Sequence, residues 1–170
     1  MSDRFSAQIL IGGNLPKAKV RGFLKALEAD GVRCEWGEHY IRAEEGEQAL
    51  TKAEYERENG TKVLRFCDEE ACYGQFEKVE EFCEKNKLSF DRSSEAYCSY
   101  DAETMSFRPG HRNCTFSDQN GNPLVPVSAI TRAFGKDCKK VEKMPKDKLV
   151  KTLKKLCGLN IPELPEFKIV

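Results

Sequence analysis

Eight cysteines and two histidines are the side chains of this 170-residue chain with the widest chemical reach. A thiolate beside an imidazole would make a nucleophile, and thiolates in paired short spacings would hold zinc. No Cys-x-x-Cys pair occurs: four residues lie between Cys67 and Cys72, and two between His111 and Cys114. A metal site would therefore need the fold to gather Cys98, His111 and Cys114. The remaining cysteines read as packing residues. Cys34 alternates with Val32 and Trp36, Cys72 and Cys83 share a helical stripe with Phe76 and Val79, and Cys157 ends another apolar stripe. Free cysteine behaves as a small buried hydrophobe. The expectation is no metal, no cofactor and no catalytic residue.

Other constellations point to binding rather than turnover. Arg108, His111 and Arg112 surround a Pro-Gly turn and form the best anion-binding candidate. Gly12-Gly13 lies between a strand-like and a helix-like segment, but neither GxGxxG nor GxxxxGK[ST] is present. Asp68, Glu69 and Glu70 could ligate a divalent cation, with Asp91 and Asp101 as distant partners, yet helix-capping acids explain the same residues. Tyr73, Tyr97, Tyr100 and Trp36 could make a stacking platform, although the strands lack the aromatic motifs of an RNA-recognition sheet. Glu77, Glu80, Glu81 and Glu84 recur along one predicted helix and form an acidic face. With the loop residues Trp36, His39 and Tyr40 they make the expected partner-binding surface.

The 28 basic and 28 acidic groups are unevenly placed: ten and five lie from residue 136 onward, 18 and 23 before it. An acidic body thus carries a basic tail, which could meet nucleic acid or fold back on the body. The run Ile9-Leu10-Ile11 is far too short to cross a bilayer, and the first residues lack a signal-peptide core. A cytoplasmic location without membrane contact is expected.

Positioning these residues requires an α+β fold. Residues 5–11 read as a strand broken by Gly12-Gly13-Asn14. Val20, Phe23, Leu24 and Leu27 repeat at helical spacing, and 32–36 reads as a second strand. A short helix over 47–52 precedes a hairpin with Asn59-Gly60 at its turn. Then come a strand over 62–67, a helix capped by Asp68, and a strand over 88–92. Strand, helix, strand, given twice, is the order of a ferredoxin-like split βαβ sheet with two helices on one face. Shorter strands follow over 96–100, 104–108, 113–117 and 124–127, with a turn over 118–123 and a helix over 128–134. A basic linker leads to an amphipathic helix over 146–157 and an extended end. Residues 1–135 form the expected domain and 136–170 its tail.

The strings Ile11-Gly12-Gly13, Glu35-Trp36-Gly37, Tyr73-Gly74-Gln75-Phe76, Phe90-Asp91-Arg92 and Phe107-Arg108-Pro109-Gly110 together resemble small uncharacterised proteins of bacterial phages and integrative mobile elements, over residues 7–134. The resemblance carries no activity with it. It implies a setting in which small non-enzymatic proteins block host defence complexes or regulate genes. The function expected is a binding protein, monomeric or homodimeric, that engages a host protein or complex through its acidic surface. A nucleic-acid-binding regulator using the basic tail and a small enzyme with a Cys/His centre are the alternatives.

Overall fold

The computed structural model describes residues 3–118, 122–136 and 138–170. Among them run β1 (Arg4–Leu15), α1 (Val20–Ala29), α2 (Glu47–Lys52), β2 (Glu54–Glu56), β3 (Lys62–Cys72), α3 (Glu77–Asn86), β4 (Ser89–Ser94), β5 (Ala102–Arg108), β6 (His111–Ser117), β7 (Pro123–Leu124), α4 (Val127–Phe134), α5 (Lys139–Glu142), α6 (Lys146–Leu156) and β8 (Phe167–Ile169). The strands form one open sheet in the order β2-β3-β1-β4-β5-β6-β7, antiparallel throughout, with β8 added in parallel to β1. The architecture is α+β.

The core follows from period-two and period-3.6 patterning. Phe5, Ala7, Ile9 and Ile11 of β1 are buried, while Gln8 between them is exposed. Val20, Phe23, Leu24 and Leu27 of α1 pack with Val79 and Cys83 of α3 against Ile9, Ile11, Leu64, Phe66 and Phe90. Phe23 meets Phe66 edge-on at 6.2 Å and Phe82 at 5.3 Å. Each fully buried Phe, Leu or Ile contributes about 1.5–3 kcal/mol. Asp30 at the end of α1 accepts the Val79 N–H at 2.9 Å and ties the two helices together.

Several expected boundaries move, each for a physical reason. Gly12-Gly13-Asn14 does not break β1; the strand runs on to Leu15 because Gly13, Asn14 and Leu15 pair with β8. A Cβ on Gly12 would collide with the Pro165 carbonyl oxygen, so glycine is required there for close approach of the tail. The expected strand over 32–36 shrinks to one bridge, Arg33 with Cys67. Asp68, Glu69 and Glu70 cap no helix, since β3 continues to Cys72 through a bulge that sets Glu69 and Glu70 against Ser6. Asp68 is instead buried beside Arg33, 3.6 Å from its guanidinium. Cys72 consequently leaves the helical stripe and is exposed. The strand expected over 96–100 is a turn closed by a Tyr97–Tyr100 bridge, and the strand over 124–127 is cut to Pro123–Leu124 by the start of α4. The Asn59-Gly60 hairpin and the helix over 47–52 form where expected. Of the turn over 118–123, residues 119–121 lie outside the described residues, as does residue 137.

Cross-strand partners share a face, so Gln8, Ser93, Thr104 and Thr115 line the side opposite α1 and α3. The tail crosses that side. A Cβ on Gly158 would strike Thr115, Leu164 is buried, and the Arg108 guanidinium donates to the carbonyls of Pro162 at 2.9 Å and Glu163 at 3.3 Å. The chain then ends as β8 against β1.

Candidate tyrosine-lined interface

The best-defined surface feature lies on the helix side, where the turn after β3 meets the turn after β4. Its foundation is Arg92, which is 1% exposed. The Arg92 guanidinium donates to the Gly74 carbonyl at 2.8 Å and to Glu103, and its Nε lies 2.8 Å from Glu80 Oε1 as an ion pair outside hydrogen-bond geometry. One buried cation thereby fixes the turn at residues 73–75, helix α3 and strand β5 to β4. Glu80 also accepts the Phe76 N–H at 3.2 Å, which satisfies a donor at the start of α3. Burial pushes the Glu80 carboxyl up, and the Arg92 charge opposes that rise. A Cβ on Gly74 would run into Phe5 and Ser94, so the turn presses directly on the sheet.

Two non-glycine residues with left-handed backbone hold the aromatic rings, Tyr73 at φ 52° and Cys98 at φ 52°. Such conformations carry strain and persist where the surroundings impose them. Tyr97 stacks on Phe5 at 5.8 Å, Tyr100 lies against the same ring at 5.6 Å, and Tyr73 faces Tyr100 at 6.4 Å. Asp3 joins two of them: its carbonyl accepts the Tyr73 N–H at 2.8 Å, and its carboxylate accepts the Tyr100 hydroxyl at 3.1 Å. Tyr73, Tyr97, Tyr100 and Phe116 remain 45%, 46%, 40% and 38% exposed. Beside them opens a groove of about 440 Å³ lined by Phe5, Tyr73, Tyr100, Asp101, Glu103 and Phe116 among others.

The residues singled out from sequence are distributed differently. Glu77 and Glu81 are exposed on α3, bridged by Lys78 at 3.3 and 3.7 Å. Glu84 pairs with Arg112 at 2.8 Å, and Glu80 is inside on Arg92 rather than on the solvated face, because a buried guanidinium needs a counter-charge. The acidic face is therefore partly neutralised by its own chain. Trp36, His39 and Tyr40 are exposed on the loop after α1, with the Arg33 guanidinium 4.4 Å above the Tyr40 ring. No hydrogen bond, ion pair or ring contact among the described residues joins that loop to the α3 glutamates.

Of the anion trio, His111 and Arg112 are exposed, but Arg108 is not a surface residue. It is buried and engaged with Asp91 at 2.9 Å and the carbonyls of Phe90, Phe107, Pro162 and Glu163. Its role is to hold the tail. Trp36 borders a second, larger groove of about 680 Å³ on the opposite side of the sheet, floored by Ser6, Gln8 and Ser93. Among the described residues no three His, Cys, Asp or Glu side chains are grouped to hold a metal ion, and Cys98, His111 and Cys114 form no such group. Burial pushes the thiols of Cys67 and Cys114 up to about 11.

The platform expected from Tyr73, Tyr97, Tyr100 and Trp36 forms only in part: the three tyrosines gather around Phe5, while Trp36 lies at the other groove. Phe5 and Phe116 carry no signal of the cluster in the sequence, and Asp101 reads there only as a distant partner for a cation, since only the sheet register brings β1, the 97–101 turn and β6 to one place. No family model matches the chain, and no curated protein or solved structure does either.

Proposed function

We propose that this chain is a non-enzymatic protein-binding module whose contact surface is the tyrosine cluster of Tyr73, Tyr97, Tyr100 and Phe116. The observation that carries this reading is a set of exposed aromatic rings held on strained, cross-braced turns above a buried Arg92. Tyrosine supplies large contact area with few rotatable bonds, and rigid aromatic anchors dominate binding energy at protein interfaces. Pre-organised turns reduce the ordering cost of association. The acidic α3 face expected from sequence becomes a flank of this surface. The resemblance to phage and integrative-element proteins makes the partner a host complex, with inhibition of a defence system as the role. The body under the patch is read as a ferredoxin-like split sheet, which the Arg33–Cys67 bridge beside β3 supports.

The test is capture from a nuclease-treated extract of the protein's own host by the wild type, by Tyr73→Ala/Tyr100→Ala and by Glu77→Lys/Glu81→Lys. A stoichiometric protein partner lost only in the tyrosine variant supports the reading. Retention in that variant, with a folded spectrum, removes the patch.

A second reading has its own observation. Lys139, Lys140, Lys143 and Lys148 surround a groove of about 630 Å³ on α5 and α6. A nucleic-acid-binding regulator would use this surface, with affinity falling steeply as salt rises. No retardation of DNA at low salt would exclude it.

A further inference from the structure

We infer that the groove between Tyr73, Tyr100 and Phe116 receives a cationic side chain, an arginine guanidinium, of the protein partner. The inference rests on the protein-binding reading and specifies what the patch recognises.

The chemistry is in the lining. Aromatic faces attract cations through the ring quadrupole, and carboxylates nearby add charge complementarity. Tyr73, Tyr100 and Phe116 supply the faces, with Asp101 and Glu103 in the same lining. Glu103 is held by Arg92, which it shares with Glu80, so it is already engaged within the chain. Asp101 is exposed, and no hydrogen bond or ion pair engages it among the described residues. The dipole of α3 does not oppose a cation here, because Glu77 and Glu80 stand in its first turn and Glu80 takes the Phe76 N–H.

The chain's own tyrosines supply the comparison. It has five. Tyr40 carries the Arg33 guanidinium at 4.4 Å, and Tyr55 carries that of Arg65 at 4.7 Å. Tyr73, Tyr97 and Tyr100 have no such cation from this chain among the described residues, although they are the tyrosines that cluster and are braced. Arginine fits better than lysine because its planar guanidinium stacks on a ring while its edge reaches a carboxylate.

The experiment is an amide NMR titration of the labelled full chain with N-acetyl-arginine amide, and with N-acetyl-citrulline amide, its neutral isostere. Saturable shifts at Tyr73, Tyr100 and Asp101 with arginine and not with citrulline are expected. Asp101→Asn should weaken arginine binding by about threefold, within the range of one exposed charge pair. Tyr100→Leu should abolish it, and Tyr100→Phe, which keeps the ring, should retain it. Equal responses to both probes, shifts confined to Glu77 and Glu81, or an unchanged Asp101→Asn would overturn the assignment. If partner capture is lost in the tyrosine variant while the two probes behave alike, only the arginine assignment fails. If capture survives, the protein-binding reading itself fails.

Discussion

Replacing Arg92 by Met is the most informative single perturbation of the framework beneath the patch. The guanidinium is buried, contacts Glu80 and Glu103, and donates to the Gly74 carbonyl at 2.8 Å. Methionine keeps the packing volume but leaves two carboxylates without their counter-charge and a carbonyl without its donor. Breaking a buried pair in this way costs about 3–5 kcal/mol. In a chain of this length that corresponds to a fall of about 6–20 °C in Tm. The loss has a pH signature. Burial already holds the Glu80 carboxyl above its ordinary value, and Arg92 is the main influence pulling it down. Without Arg92 the folded-state pKa rises further while the unfolded one is unchanged. The folded state then gains stability from protonation below the ordinary carboxylate range and loses it as pH rises through the folded pKa. Urea unfolding of wild type and Arg92→Met at pH 5 and pH 8 should show a deficit that is larger at pH 8. Adding Glu80→Gln and Glu103→Gln should recover part of it. A deficit below about 1 kcal/mol, or one equal at both pH values, would refute the assignment of Arg92 as a charge-paired brace.

Other consequences are as direct. Gly12→Ala places a Cβ on the Pro165 carbonyl and should cost about 1–3 kcal/mol, with faster amide exchange at residues 167–170; unchanged exchange would mean the tail is not seated there. Arg108→Gln should release the same strand without disturbing α1 and α3, read by the same exchange experiment; protection of residues 162–170 at wild-type level would contradict the clamp. In a thiol-reagent titration at pH 8, Cys72, Cys98 and Cys138 should react first, and the buried Cys34, Cys67 and Cys83 only on unfolding. Cys114 is exposed as a residue, yet partial burial of its sulfur and the Glu103 carboxylate push its thiol up to about 11, so it should lag behind Cys72 and Cys98; a Cys114 that reacts as fast as Cys98 would contradict this.

The stripe of α1 was legible because burial there follows period 3.6: Val20, Phe23, Leu24 and Leu27 lie where the sequence places them, whereas Val150 and Leu153 of the α6 stripe stay exposed. The Asn-Gly hairpin was legible because its turn chemistry is local. What misled was long-range pairing. Gly12-Gly13 looks like a break until a strand from the other end of the chain pairs beside it. Asp68 to Glu70 look like helix caps until β1 holds them extended. Glu80 has the type and spacing of a solvated residue, and only the proximity of Arg92, on the next strand, draws it inward. The tyrosine patch was half visible. Its residue types were noticed, but the bulge, the strained backbone at Tyr73 and Cys98 and the ring of Phe5 beneath arise from register, which composition does not encode.

A protein partner that docks on the tyrosine cluster comes within reach of its rings. Site-specific photocrosslinking tests it most directly, with a benzophenone amino acid placed at Tyr97 or at Phe116 and, as a control, at Glu28 on the exposed side of α1. In extract from the protein's own host, one shared crosslinked protein is expected from Tyr97 and Phe116 and none from Glu28. A crosslink from Glu28 with none from either patch position would contradict it.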